Sequence, residues 1–269
     1  MVKDSFSNIY CRYSKWVVIL MIIFLQTLSG NHLFAQSADD DTDKPFISTL
    51  VDFSYINLEL DFINYDTHEY IISQLGNGTL KLDKNDYLNM EYNISHSWIN
   101  NSSYVVPGDF SFLYYHNFYS KKYLKSGFQG LSTKMKLVFP TGKSELLSGL
   151  DNWIVEPSVY YGWLLKNKKF FVVNHLRYHF SIGHLPQTIR TKPYIRFEPS
   201  FGYESHKFWT SITMDNRIYT DELSYIMFVK AKFGLKINKM TSIYTALTLQ
   251  SYGSHIYNYY LNFGYFRKF

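Results

Sequence analysis

Residues 170–182 read FFVVNHLRYHFSI, and His175, His179 and the nearby His184 invite a reading as metal ligands. The chemistry open to them is coordination of a divalent ion or general-base activation of a hydroxyl. On a strand, however, residues four apart stand about 13 Å from one another. Shared coordination would need a fold in the chain, so these histidines read as lining an interior or a loop. No metal and no cofactor is expected. For nucleophilic catalysis the chain offers no Gly-x-Ser-x-Gly elbow and one Cys. Pairing of Ser181 with His175 or His179 is the remaining arrangement, and no catalytic residue is assigned.

Charged residues recur at alternate positions, and this is the more informative pattern. In 170–182, Phe170, Val172, Asn174, Leu176, Tyr178, Phe180 and Ile182 share one face, while Val173, His175, Arg177, His179 and Ser181 share the other. Residues 225–237 repeat the scheme, with Tyr225, Met227, Val229, Ala231, Phe233, Leu235 and Ile237 opposite Phe228, Lys230, Lys232, Gly234 and Lys236. Further alternating segments fall at 129–139, 153–165, 193–204, 207–217, 241–252 and 257–269. Upstream, 51–62, 68–75, 86–98 and 109–118 are less regular, with turns expected at Gly76–Gly78 and Pro107–Gly108. The polar face of these strands collects Lys134, Lys136, His175, Arg177, His179, Arg196, Arg217, Lys230, Lys232 and Lys236, opposed by Glu156, Glu198, Glu204 and Asp215.

Composition narrows what such strands build. Of 269 residues, 46% are hydrophobic, 19% aromatic and only 18% charged, which excludes a disordered chain. Mean hydropathy of −0.20 argues against a bundle of membrane helices. A net charge of +5 without a Lys/Arg block gives no reason to expect nucleic acid. Strands of about ten residues or more exceed the usual soluble length and match a transmembrane barrel, apolar outside and polar inside. Tyr114-Tyr115, Tyr160-Tyr161-Gly162-Trp163 and Tyr257-Asn258-Tyr259-Tyr260 supply aromatic girdles near strand ends. The expected fold is all-β: an antiparallel up-and-down transmembrane β-barrel of about twelve strands, within a range of about ten to fourteen. Short and long connections alternate, as between periplasmic turns and outer loops.

The N-terminus reads as an address. Lys3, Arg12 and Lys15 precede an apolar run from Trp16 to Leu28, short for a membrane span but suited to a secretory signal. Cleavage after Ala35 gives a signal peptide over 1–35, an acidic periplasmic tail over 36–45 and a barrel over 46–269. Cys11 leaves with the signal, so the mature chain carries no thiol.

The last segment, Tyr259 to Phe269, resembles the terminal strand of Gram-negative outer-membrane barrels. Leu261, Phe263, Tyr265 and Phe269 fit its alternating apolar pattern and Arg267 departs from it. The resemblance implies recognition by the barrel-assembly machinery. Residues 126–165 include a lysine-bearing strand, Pro140-Thr141-Gly142, then Ser148-Gly149-Leu150-Asp151 and another strand. They are similar to the outer-membrane family named after the meta-pathway of phenol degradation, described as transporters. That resemblance implies a barrel in the cell outer membrane with no catalytic residues to carry over.

The leading expectation is therefore an outer-membrane channel for small solutes, its basic lumen favouring anions. Lys134, Lys136, His175, Arg177, His179, Arg196, Glu198, Arg217, Lys230 and Lys232 are its candidate solute-facing residues. Expected partners are outer-membrane lipid or lipopolysaccharide, the assembly machinery and an unnamed small solute. One alternative is a closed structural or interaction barrel with a filled lumen. The other is a lipid hydrolase, since outer-membrane phospholipase A is also a twelve-stranded barrel, although the sequence that surrounds its Ser and His is absent here.

Overall fold

The computed structural model describes residues 54–66, 69–100, 102–119, 127–146, 149–165, 169–182 and 192–269. The segments assigned to the signal and tail, and His184, lie outside the described residues. Among the described residues, thirteen strands form one sheet: β1 Tyr55–Asp66, β2 Glu69–Lys81, β3 Asp86–Ile99, β4 Ser102–Pro107, β5 Phe110–Tyr119, β6 Phe128–Phe139, β7 Trp153–Leu164, β8 Phe170–Ile182, β9 Tyr194–Glu204, β10 Phe208–Tyr219, β11 Tyr225–Lys236, β12 Thr241–Tyr252 and β13 Tyr259–Lys268. Each pairs antiparallel with its neighbours. β1 closes the sheet on β13, in register from Tyr55↔Lys268 to Asn64↔Tyr259. The barrel is thus sealed and both ends of its wall lie at one rim. Closure removes the exposed edges that an open sheet of this size would carry.

β4 and β5 act as one stave of the wall. Both pair with β3, β4 along Ile94–Ile99 and β5 along Asp86–Glu91. The barrel accordingly has twelve staves. Pro107 lacks a donor, and Gly108 turns its N–H to the Asn93 carbonyl at 2.9 Å. A Cβ on Gly108 would sit 1.6 Å from Asn93 Oδ1, so the Asn93 side chain fills the space that the absent Cβ leaves. Pro107–Gly108 is thus a kink within a stave. Gly76–Gly78, expected as a turn, lies inside β2. The glycines occupy successive outward positions, paired across the sheet with Leu58 and Tyr92 and with Ile56 and Met90. Cross-strand packing overrides the local preference there.

Alternation decides which side chains enter. On β10, Trp209, Ser211, Asp215 and Tyr219 are buried while Ile212, Met214 and Ile218 are exposed on the outer face. Three inward glycines each lie beneath an aromatic ring of the adjoining strand: Gly202 under Phe171, Gly234 under Trp209 and Gly264 under Tyr244. Such pairs let large rings lie flat on a tightly curved wall. Two prolines, Pro157 and Pro199, stand inside strands. The β7–β8 ladder skips Glu156 and Pro157, and the β9–β10 ladder skips Glu198 and Pro199, because proline has no N–H to give.

Candidate functional site: a charged belt across the lumen

β8 lies at the centre of the belt. Its inward residues His175, Arg177 and His179 meet one carboxylate from each neighbouring strand. Glu156 of β7 accepts from His179 Nδ1 at 2.7 Å, and Glu198 of β9 pairs with His175 Nδ1 at 2.9 Å. Arg177 spans the two, with Nη1 3.4 Å from Glu156 Oε2 and Nε 3.1 Å from Glu198 Oε2. The chain of charges continues along the wall. Glu198 also takes Arg196 at 2.7 Å, and Arg196 binds Asp215 through Nε at 2.6 Å and Nη2 at 2.7 Å. Arg217 closes on Asp215 at 2.8 Å. This two-bond contact between Arg196 and Asp215 fixes orientation as well as charge. Lys136 pairs with Glu91 of β3, and Lys236 with Glu204.

Aromatic rings press on the belt from above and below. Tyr160 stacks on His175 with centroids 3.6 Å apart, and Tyr194 on His179 at 4.4 Å. The Arg217 guanidinium lies 4.6 Å from the Phe228 centroid. The belt is therefore largely shut off from water: the Arg177 side chain is 15% exposed and that of Glu198 11%. A guanidinium between the two histidines, each already held by a different carboxylate, opposes a cation at that point.

Three lysines are placed differently. Lys134 lies over the rings of Tyr115 and Tyr160, Lys230 over Tyr260 and Lys232 over Tyr244. None of the three makes an ion pair among the described residues. Glu59 and Asp61 of β1 are held by neutral donors instead. Tyr244 Oη donates to Glu59 at 2.6 Å, and Asn262 Nδ2 reaches both carboxylates at 2.5 Å. The structure thus places Lys134, Lys136, His175, Arg177, His179, Arg196, Glu198, Arg217, Lys230 and Lys232 on the inner wall. It joins six of them, His175, Arg177, His179, Arg196, Glu198 and Arg217, into one network. Leu261, Phe263 and Tyr265 lie on the outer face of β13. Sequence reasoning missed Glu59, Asp61 and Glu91, whose alternation in β1 and β3 is visible only once those strands are phased.

One loop turns back over the mouth. Between β6 and β7 it carries a single 3-10 turn, Ser144–Leu146. Ser97, inward on β3, donates to the Leu146 carbonyl at 2.6 Å. Asp109, at the β4–β5 kink, receives Gly142 N–H at 2.9 Å on one oxygen and Leu150 N–H at 2.8 Å on the other.

No protein-family profile matches the chain, and no characterised protein matches it by sequence. Solved structures do. The COG4313 outer membrane channel from Pseudomonas putida F1 superposes with a TM-score of 0.62 at 12% identity, covering 84% of this chain and 98% of that one. The NanC porin gives 0.56 at 10% identity, with 80% and 98% covered. The KdgM porin gives 0.55 at 12% identity, with 80% and 99% covered. The likeness to those porins and that channel is one of fold, and in this chain the fold is a closed twelve-strand antiparallel barrel.

Proposed function

We propose that this chain is an outer-membrane channel for small solutes, narrow at a charged belt and favouring anions. The observation that carries the reading is Lys134, Lys230 and Lys232, ammonium groups on opposite stretches of the inner wall without a carboxylate partner. The adjacent carboxylates Glu59 and Asp61 keep their charge but are held on β1 by hydrogen bonds from Tyr244 and Asn262, so they make no direct ion pair with Lys230 or Lys232 among the described residues. Lysine rings favour anions in channels of this kind. The likeness to porin and channel folds supports the outer membrane as the site of action, with Phe269 and the apolar face of β13 as the assembly signal.

Reconstitution of the folded barrel into planar bilayers tests this reading. We expect small conductance steps with anion-over-cation selectivity, and Lys134→Gln/Lys230→Gln/Lys232→Gln shifting the reversal potential toward cations. A silent bilayer would sink the channel. The packing of the belt favours the second reading in that event, a closed barrel whose lumen is filled by its own side chains.

A further inference from the structure

The outer wall carries a groove of about 580 Å³ that the channel reading leaves unused. Tyr114, Thr133, Met135, Pro157, Leu176 and Tyr178 form its sides, from β5 across to β8. Its floor is the place where Pro157 interrupts the β7–β8 ladder, so the wall dips instead of presenting a continuous pleat. At one end, through Tyr114, the groove meets a polar cluster on the outer face. Tyr114 both lines the groove and donates to Asp86, and His116 Nδ1 lies 2.8 Å from the same carboxylate. Both contacts fall on Oδ1; Oδ2 accepts nothing among the described residues.

The register shows how the two parts lie. Asp86, His116, Thr133, Val159 and Leu176 form one rung across β3, β5, β6, β7 and β8. Asp86 is the first residue of β3, at the rim that carries both ends of the wall, whereas Leu176 is mid-strand in β8. The rung therefore climbs from rim to middle. Four strand spacings make about 19 Å, and at a strand tilt of about 40° that is a descent of about 12 Å, half of a ~25 Å apolar band. One leaflet has that depth.

We propose that this groove seats one glycerophospholipid with a primary-amine headgroup, its ammonium on Asp86 and one acyl chain along the rung to Leu176. The inference rests on the barrel spanning a membrane. Charge complementarity chooses the headgroup: the free Asp86 oxygen matches an ammonium and repels an anionic lipid, while His116 stands beside it for the phosphate. A trimethylated headgroup has no N–H to give that oxygen.

Native mass spectrometry of the folded full-length barrel, titrated with phosphatidylethanolamine, phosphatidylglycerol and phosphatidylcholine of identical chains, tests the seat. We expect the ethanolamine lipid to bind about three- to tenfold tighter than the other two. Asp86→Asn should erase that preference, and Val159→Trp, which fills the groove, should weaken all three lipids together. Equal binding of the three by the natural sequence, or a preference that survives Asp86→Asn, overturns the seat. Strand circular dichroism in phosphatidylcholine vesicles keeps the readings apart. A barrel that inserts there without headgroup preference loses only the lipid site, and one that fails to insert loses the membrane reading with it.

Discussion

Glu156 and Glu198 hold equivalent places on either side of β8, each opening a Glu-Pro-Ser run and each facing a histidine across the sheet. The antiparallel register makes the pairing pseudo-symmetric: Glu156 meets His179 and Glu198 meets His175, with Arg177 midway between. In each run the proline follows the glutamate, so the ladder opens beside the carboxylate. One guanidinium thereby compensates two buried carboxylates, and its removal should cost more than that of an ordinary surface ion pair.

Replacement of Arg177 by Met leaves Glu156 and Glu198 desolvated with only their histidines, and Glu198 with Arg196. We expect a loss of about 3–5 kcal/mol in barrel unfolding free energy, measured by denaturant unfolding in detergent micelles. Glu156→Gln/Glu198→Gln added to Arg177→Met should restore part of that loss, since no charge is then stranded. A triple variant no more stable than the single one would show that Arg177 does not compensate these carboxylates.

The inward glycines make a separate prediction. Trp209 lies over Gly234 and donates from Nε1 to Ser242 at 3.0 Å, so its ring is fixed on both sides. A Cβ at residue 234 would stand 2.2 Å from that ring. Gly234→Ala must displace the indole and break its bond to Ser242, an overpacking cost of about 1–3 kcal/mol. Ala at 231, which faces outward on the same strand, is the site for a control, and Ala231→Gly should cost far less. Unfolding midpoints of the two variants decide the matter; equal midpoints would mean that the ring moves freely.

Much of this architecture is readable from period and length alone, and the reasons for the exceptions are physical. From β6 onward every strand is a long alternating run, because a closed wall with a polar interior leaves no other pattern. In β2 the same logic is hidden by Gly76 and Gly78, whose turn preference is overruled by partners on both sides. β4 is too short and too polar at its start to announce itself, and it exists by pairing with the far half of β3. At the site, type and phase place Arg177 and the lysines on the inner wall. They do not say which charges pair, since that depends on register between strands, and a one-residue slip would change every partner. Asp109 could not be singled out from sequence, because its role comes from backbone groups thirty and forty residues away.

Asp109 makes the last prediction. It stands inside the β4–β5 stave and holds two backbone donors of the β6–β7 loop, Gly142 on one oxygen and Leu150 on the other. Asp109→Ala leaves both N–H groups without that acceptor, so the loop should dock more weakly by about 1–3 kcal/mol. The Gly142 and Leu150 amides are the direct reporters, and their hydrogen exchange should be faster in Asp109→Ala than in the natural sequence. Asp109→Asn, which keeps one acceptor, should fall between the two. Exchange unchanged in Asp109→Ala would mean that other contacts, such as that of Ser97 with the Leu146 carbonyl, hold the loop.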